Sequence, residues 1–126
     1  MRFEDETLTT ATSPSKTRSR VLVIGGGPAG TAVAIQLARQ GRSVTLVEKT
    51  ATLHDKVCGE FVSGESRRYL DLLGVDIDTL GAQPIRTVRV AMDSVIAEHR
   101  LPFPAWSLGR ALLDEALLKR AACEGA

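Results

Sequence analysis

Glycines at positions 25, 27 and 30 give the spacing Gly-x-Gly-x-x-Gly within Gly25-Gly26-Gly27-Pro28-Ala29-Gly30. Gly25 permits a sharp turn, Gly27 removes a side chain where a pyrophosphate must approach the backbone, and Gly30 lets a helix pack closely on a sheet. A helix that starts here offers unpaired N–H groups and the positive end of its dipole to phosphate. Pro28 suits the first helical turn, where a backbone N–H has no intrahelical partner in any case. Glu48 follows Gly30 by 18 residues. A carboxylate at that distance accepts hydrogen bonds from an adenosine ribose and repels a 2′-phosphate. The glycine spacing alone is weak. A strand before it, a helix after it and an acid at this distance together point to a dinucleotide, without choosing between FAD and NAD. A tight glycine turn that binds nothing is the plain alternative.

The elements that must position these residues are legible on either side. Val21–Ile24 is a continuous apolar run, the pattern of a strand buried on both faces of a parallel sheet. Ala29 to Arg39 is rich in Ala, Val, Ile and Leu and stops at Gly41, as a helix does. Val44 to Val47 makes a second apolar strand, closed by Glu48-Lys49. Residues 20–48 therefore have the size of one βαβ unit.

Beyond it, residues 50–64 read as a loop holding His54, Cys58, Gly59 and Gly64. Glu65 to Leu73 reads as a helix with Tyr69, Leu70, Leu72 and Leu73 on one side and Gly74 as its stop. Val88, Val90 and Met92 alternate with Thr87, Arg89 and Ala91 at strand period, and Val95 to Leu101 pairs back across Asp93-Ser94 as a hairpin. Arg110 to Cys123 is helical, with a stripe of Leu113, Leu117 and Ala121 widened by Leu112 and Ala116, and an i,i+4 pair of Glu115 and Lys119 on the wet side. No internal repeat and no Gly/Ser linker divides the chain.

Composition narrows the partners. The 126 residues carry 16 Lys+Arg against 15 Asp+Glu, a net charge of +1, and only five aromatics. There is neither a phosphate-tracking basic stripe nor a row of stacking rings, so nucleic acid is not an expected partner. Cys58 and Cys123 are the only cysteines. Two isolated thiols form no disulfide framework and no CxxC pair, which suits a reducing, cytoplasmic setting. No apolar run approaches the ~18 residues of a membrane span. The acidic start, Met1 to Glu6, lacks the apolar region of a secretory signal. His54 and His99 have no third ligand at metal spacing.

Gly-Gly-Gly-Pro-Ala-Gly with Glu48-Lys49, then Lys56-Val57-Cys58-Gly59-Glu60-Phe61-Val62-Ser63 and Leu72-Leu73-Gly74, resembles the N-terminal part of the geranylgeranyl-reductase-like FAD oxidoreductases, which belong with the flavin monooxygenases and halogenases. Leu108-Gly109-Arg110-x-x-x-Asp114-x-x-Leu117 resembles the same family's next element, an Arg-led helix beside the flavin. The resemblance runs from about residue 20 to the end. It implies an α/β fold: a Rossmann-like FAD-binding βαβ unit with a partial antiparallel β insertion, incomplete at the C-terminus. It implies FAD contacts at Ala29, Glu48-Lys49, Cys58, Gly59, Phe61 and Arg110, beside the glycine turn of Gly25, Gly27 and Gly30. Arg110, planar and permanently charged, suits the phosphate–ribityl side; a solvated charge opening a helix is its plain reading. Cys58 either touches and tunes the isoalloxazine or is a small residue filling a tight loop. Trp106 either lines a substrate wall or packs in a loop.

The family's complete enzymes are about three times this long, so the resemblance implies the cofactor-binding portion of a flavin-dependent oxidoreductase, silent by itself. Its parent would reduce prenyl or polyene double bonds or act as a monooxygenase on a small-molecule substrate, with NAD(P)H as electron donor. A non-catalytic module for NAD or ADP, or a truncated remnant, is the alternative from another class. Residues 1–19 hold eight Ser/Thr among the first 20 positions and no apolar periodicity, which predicts a disordered tail ahead of a domain over 20–126. Deleting residues 1–19 should leave the melting temperature unchanged in a thermal scan; a drop of several degrees would move the domain start upstream.

Overall fold

The computed structural model describes residues 20–50, 56–58 and 60–126; the tail expected over 1–19, His54 and Gly59 lie outside the described residues. The first unit is the expected βαβ. β1 (Arg20–Ile24) and β2 (Ser43–Val47) pair in parallel, Val21 against Val44 and Val23 against Leu46, with α1 (Pro28–Arg39) as the crossover. Alternate residues of a strand face opposite sides. Val44 is buried, and Val23 and Leu46 pack against the same core. The opposite face carries Leu22 and Ile24, which are 62% and 83% exposed. This corrects the expectation of a strand buried on both faces: among the described residues, helices cover one side only.

The second unit is antiparallel. β3 (Phe61–Ser63), β4 (Gln83–Met92) and β5 (Val95–Ser107) form a sheet in the order β3-β5-β4. The hairpin across Asp93-Ser94 is present, but it runs far beyond Leu101, and a three-residue strand stands at the end of what reads as a loop. Three residues are too short for a period to show. They become a strand because β5 supplies the partner, Val62 opposite Trp106. α2 (Gly64–Leu73) follows directly, capped by the Ser63 hydroxyl, which accepts from the Ser66 N–H.

α2 ends at Gly74 in the left-handed region, φ 81°. The Gly74 and Val75 N–H groups reach back to the carbonyls of Asp71 and Leu70, the paired closure that favours glycine at this position. Leu70 and Leu73 are buried, whereas Tyr69 and Leu72 are 61% and 68% exposed, so the apolar side is narrower than expected. Positions three apart share a helix face, and their predecessors lie about 100° round it. The same geometry leaves Leu112 half exposed on α3 (Arg110–Cys123) while Leu113, Leu117 and Ala121 are buried.

The core joins Ala34 and Ile35 of α1, Leu113 and Leu117 of α3, Leu70 and Leu73 of α2, and Ile77 from the turn after α2. Arg39 ties the C-terminal ends of the three helices. Its guanidinium donates to the carbonyls of Leu72 at 2.8 Å and Leu73 at 2.9 Å, and to Glu124 Oε1 at 2.9 Å. Arg120 donates to that same oxygen. These carbonyls have no intrahelical partners, so a cation is their natural cap. No helix among the described residues is long and apolar enough to cross a membrane.

The Arg39 and Arg120 bonds hold the Glu124 carboxyl below the ordinary carboxylate value. A carboxylate depressed on folding adds stability that is complete above its unfolded value, near 4.5, and is lost as pH falls through the lower folded value. The melting temperature should therefore fall below about pH 4.5. Glu124→Gln should melt lower at neutral pH and show a shallower acid decline; identical acid limbs for the two proteins would refute the clamp.

Candidate cofactor site

The glycine turn stands between β1 and α1, where strand gives way to helix. Gly25 takes φ 104°, a conformation that side chains disfavour, and its N–H donates to the Val47 carbonyl at 2.7 Å. The two strand ends are thereby joined. A Cβ at Gly30 would stand 1.9 Å from the Gly25 carbonyl oxygen, so only glycine admits this contact between helix and turn. At Gly27 a Cβ would meet nothing within 4 Å. The space over Gly27 is open, and glycine there leaves room for something other than the protein itself.

The first turn of α1 is bare. Gly27 is its N-cap, no side chain caps it, and Pro28 stands at the start of the helix. Thr31 is fully buried and turns its hydroxyl back to the carbonyls of Gly27 and Pro28, so it satisfies no N–H of this turn. Ala29 is exposed beside it, and Lys49 is exposed after β2.

Glu48 closes the turn from the other side. Its Oε2 accepts from the Gly26 N–H at 2.6 Å and its Oε1 from the Thr50 N–H at 3.2 Å. These two backbone N–H groups hold the carboxyl below its ordinary value, Gly26 first, against a smaller opposing effect of desolvation. Each oxygen keeps a further lone pair, so the carboxylate is charged, fixed and still able to accept. Gly26, the unassigned middle glycine, is one residue that sequence reasoning missed. It is buried, and a Cβ there would lie 3.1 Å from both Glu48 Cβ and Leu118 Cδ2.

A second group gathers at the N-terminal end of α3. Asp114, only 3% exposed, accepts from Lys56 Nζ at 2.9 Å and from Arg110 Nε and Nη2 at 3.1 and 3.3 Å. A buried carboxylate with two cations fixes both of them in direction. Cys58 is exposed, and its thiol is pushed down, first by the Glu60 N–H and then by the Arg110 guanidinium. Glu60 itself holds φ 51°, unusual for a side chain of its size, while its carbonyl accepts from the Leu108 N–H at 2.9 Å. Asp114 was unassigned in the sequence; the i,i+4 spacing from Arg110 is the signal that could have marked it.

The structure thus gathers Gly25, Gly27, Ala29, Gly30 and Glu48 at the turn, and Cys58 and Arg110 at α3. Phe61 and Ala29 meet across an apolar cleft of about 350 Å³ whose walls also include Leu113 and Leu117. Lys49 joins neither group through any contact described. Trp106 is half-buried, with the Arg67 guanidinium 4.6 Å above its ring.

Comparison with known proteins follows the same lines. Residues 3–91 match the family model described as pyridine nucleotide-disulphide oxidoreductase. Menaquinone reductase of Mycolicibacterium smegmatis is 35% identical over 119 residues, covering 87% of this chain and 28% of that enzyme. A tetrameric form of 2-methyl-3-hydroxypyridine-5-carboxylic acid oxygenase superposes with TM-score 0.75 at 32% identity, over 89% of this chain and 31% of the other. A geranylgeranyl bacteriochlorophyll reductase-like protein from Thermoplasma acidophilum superposes with TM-score 0.64 at 28% identity, over 85% of this chain and 28% of its own. The resemblance seen in the motifs and the Rossmann-like α/β class are both borne out. The chain spans less than a third of the length of these relatives.

Gly26→Ala should displace Glu48 by a few tenths of an ångström, because the new methyl would lie 3.1 Å from Glu48 Cβ and 3.2 Å from its Oε2. The Glu48 carboxyl should then titrate closer to its ordinary value in a carbon-detected NMR titration, and ADP affinity should drop about tenfold, the usual worth of one charge-assisted hydrogen bond. An unmoved Glu48 titration would show that the Gly26 contact does not position the acid.

Proposed function

The chain belongs to the pyridine nucleotide-disulphide oxidoreductase family, and from that premise we propose that it forms the FAD-binding portion, over residues 20–126, of a flavin-dependent oxidoreductase. The observation that carries this reading is the open cradle over Gly27, bounded by an uncapped helix start and by the fixed Glu48 carboxylate. In it, Gly25, Gly27, Ala29 and Gly30 present backbone to the diphosphate, and Glu48 accepts from the adenosine ribose. Lys49 adds a positive charge beside it. Arg110, held by Asp114, faces the phosphate–ribityl side, with Cys58 and Phe61 towards the ring system; Gly59 keeps its role by resemblance alone. FAD, when bound, supplies the hydride or oxygen chemistry, and the protein's part is to hold and orient it.

The parent enzyme's substrate is proposed as a small molecule and its electron donor as NAD(P)H, in a cytoplasmic setting that suits two free thiols. Reduction of a prenyl or polyene double bond is favoured by the menaquinone reductase and geranylgeranyl reductase-like relatives. Monooxygenation is the second reading, favoured by the similarity to the pyridine-carboxylic acid oxygenase.

Purified protein should retain or take up FAD, read from flavin absorbance and from the nucleotide released on denaturation. Gly27→Val should abolish FAD and ADP binding while the protein still melts cooperatively, since a Cβ at this position meets nothing within 4 Å. Colourless protein that binds ADP or NAD but no FAD would favour the non-catalytic module, and equal FAD affinity in Gly27→Val would overturn the cradle.

A further inference from the structure

The β4–β5 ribbon contains an irregularity that the cofactor reading does not use. Ile85 faces Ala105 and Thr87 faces Arg100, so the single residue Arg86 stands opposite the four residues 101–104. Pro102 and Pro104 lie in that stretch and lack the N–H needed to close a ladder, which gives the bulge its chemical cause. Bulges of this kind re-aim side chains and concentrate near functional sites. Here the bulge opens a cavity of about 240 Å³, walled by Leu101, Phe103 and Trp106 and flanked by Arg86 and Arg100.

The charges around it are unbalanced. Two pairs along, Arg89 is matched with Glu98 at 2.6 Å, and Arg67 beside Trp106 is matched with Asp78 through two hydrogen bonds. Arg86 and Arg100 have no carboxylate partner among the described residues. Guanidinium groups bind carboxylate and phosphate through paired N–H donors, and an aromatic wall beside them receives apolar carbon. A pocket with a few convergent polar groups on apolar walls is the ordinary form of a small-molecule site. We propose that this cavity binds an amphipathic anion, with its carboxylate or phosphate between Arg86 and Arg100 and its apolar body against Phe103 and Trp106. Beyond the bulge, β5 pairs with Phe61 through Ser107 and leads within three residues to Arg110, so a ligand anchored here lies on the strand that runs to the proposed cofactor site. The site itself needs no cofactor to form.

Trp106 is the chain's single tryptophan, which makes its fluorescence a direct reporter. The full 126-residue chain is titrated with decanoate, with decyl phosphate and with 1-decanol, below their micelle-forming concentrations. Saturable fluorescence change is expected with at least one anion, weakened tenfold or more in Arg86→Gln/Arg100→Gln and unchanged in Arg89→Gln. The ratio of the two anion affinities tells which head group the arginines prefer. 1-Decanol should bind more weakly and with no dependence on the arginines. Lack of a saturable signal with both anions, equal loss in Arg89→Gln, or 1-decanol binding as tightly as the anions would overturn the proposal. Circular dichroism of each variant confirms that the comparison is between folded proteins.

Discussion

The bond from the Gly26 N–H to the Glu48 carboxylate, 2.6 Å long, joins the end of the second strand to the turn after the first. The requirement it serves is severe. A negative side chain must stand close to a backbone turn that, under the proposed function, also has to stay open for a negatively charged ligand. Placing the carboxylate on two backbone N–H groups, Gly26 and Thr50, keeps it charged and fixed in place. Glycine at 26 is the geometric condition for this, because a side chain there would meet both Glu48 and Leu118.

Leu118 makes α3 part of the same arrangement. One face of this helix supplies Leu113, Leu117 and Ala121 to the core, while Leu118 touches the glycine turn and Arg110 and Asp114 stand at its beginning. Leu118 and Arg110 are eight residues apart, about 12 Å along a helix. One rigid element therefore spaces the acid-bearing turn from the arginine group. The C-terminal clamp of Arg39, Arg120 and Glu124 fixes the far end of that element against α1 and α2. Packing, electrostatics and the spacing of the two proposed ligand contacts are in this sense one constraint.

The antiparallel sheet answers to different physics. Its proximal half is anchored by β3 and by the buried Val62 and Ala105. Its distal half is a two-stranded ribbon on which Val90, Met92, Val95 and Ile96 are all more than 60% exposed. A two-stranded ribbon has only its own cross-strand pairs, such as Arg89 with Glu98, to hold its register. The proline-bearing bulge stands where these two halves meet.

Sequence alone determined the βαβ unit, the α3 helix and the glycine-and-acid pattern. Each rests on interactions within about 30 residues, and each leaves a period or a spacing that can be read. The apolar run at 21–24 is a strand, the glycines at 25, 27 and 30 form the turn after it, and the stripe of Leu113, Leu117 and Ala121 is buried. Tertiary structure decided what depends on a partner distant in the chain. Phe61–Ser63 is a strand only because β5 lies beside it. Leu22 and Ile24 are exposed because burial depends on what covers a face, which a strand's own residues do not specify. Gly26 looks like any loop glycine until Leu118, 92 positions away, is seen against it. Asp114 looks like half of an ordinary helical ion pair until Lys56 arrives from another loop and the helix buries all but 3% of it. Local periodicity fixes which face of an element is apolar; only the packed chain fixes what that face, and each polar group beside it, finally meets.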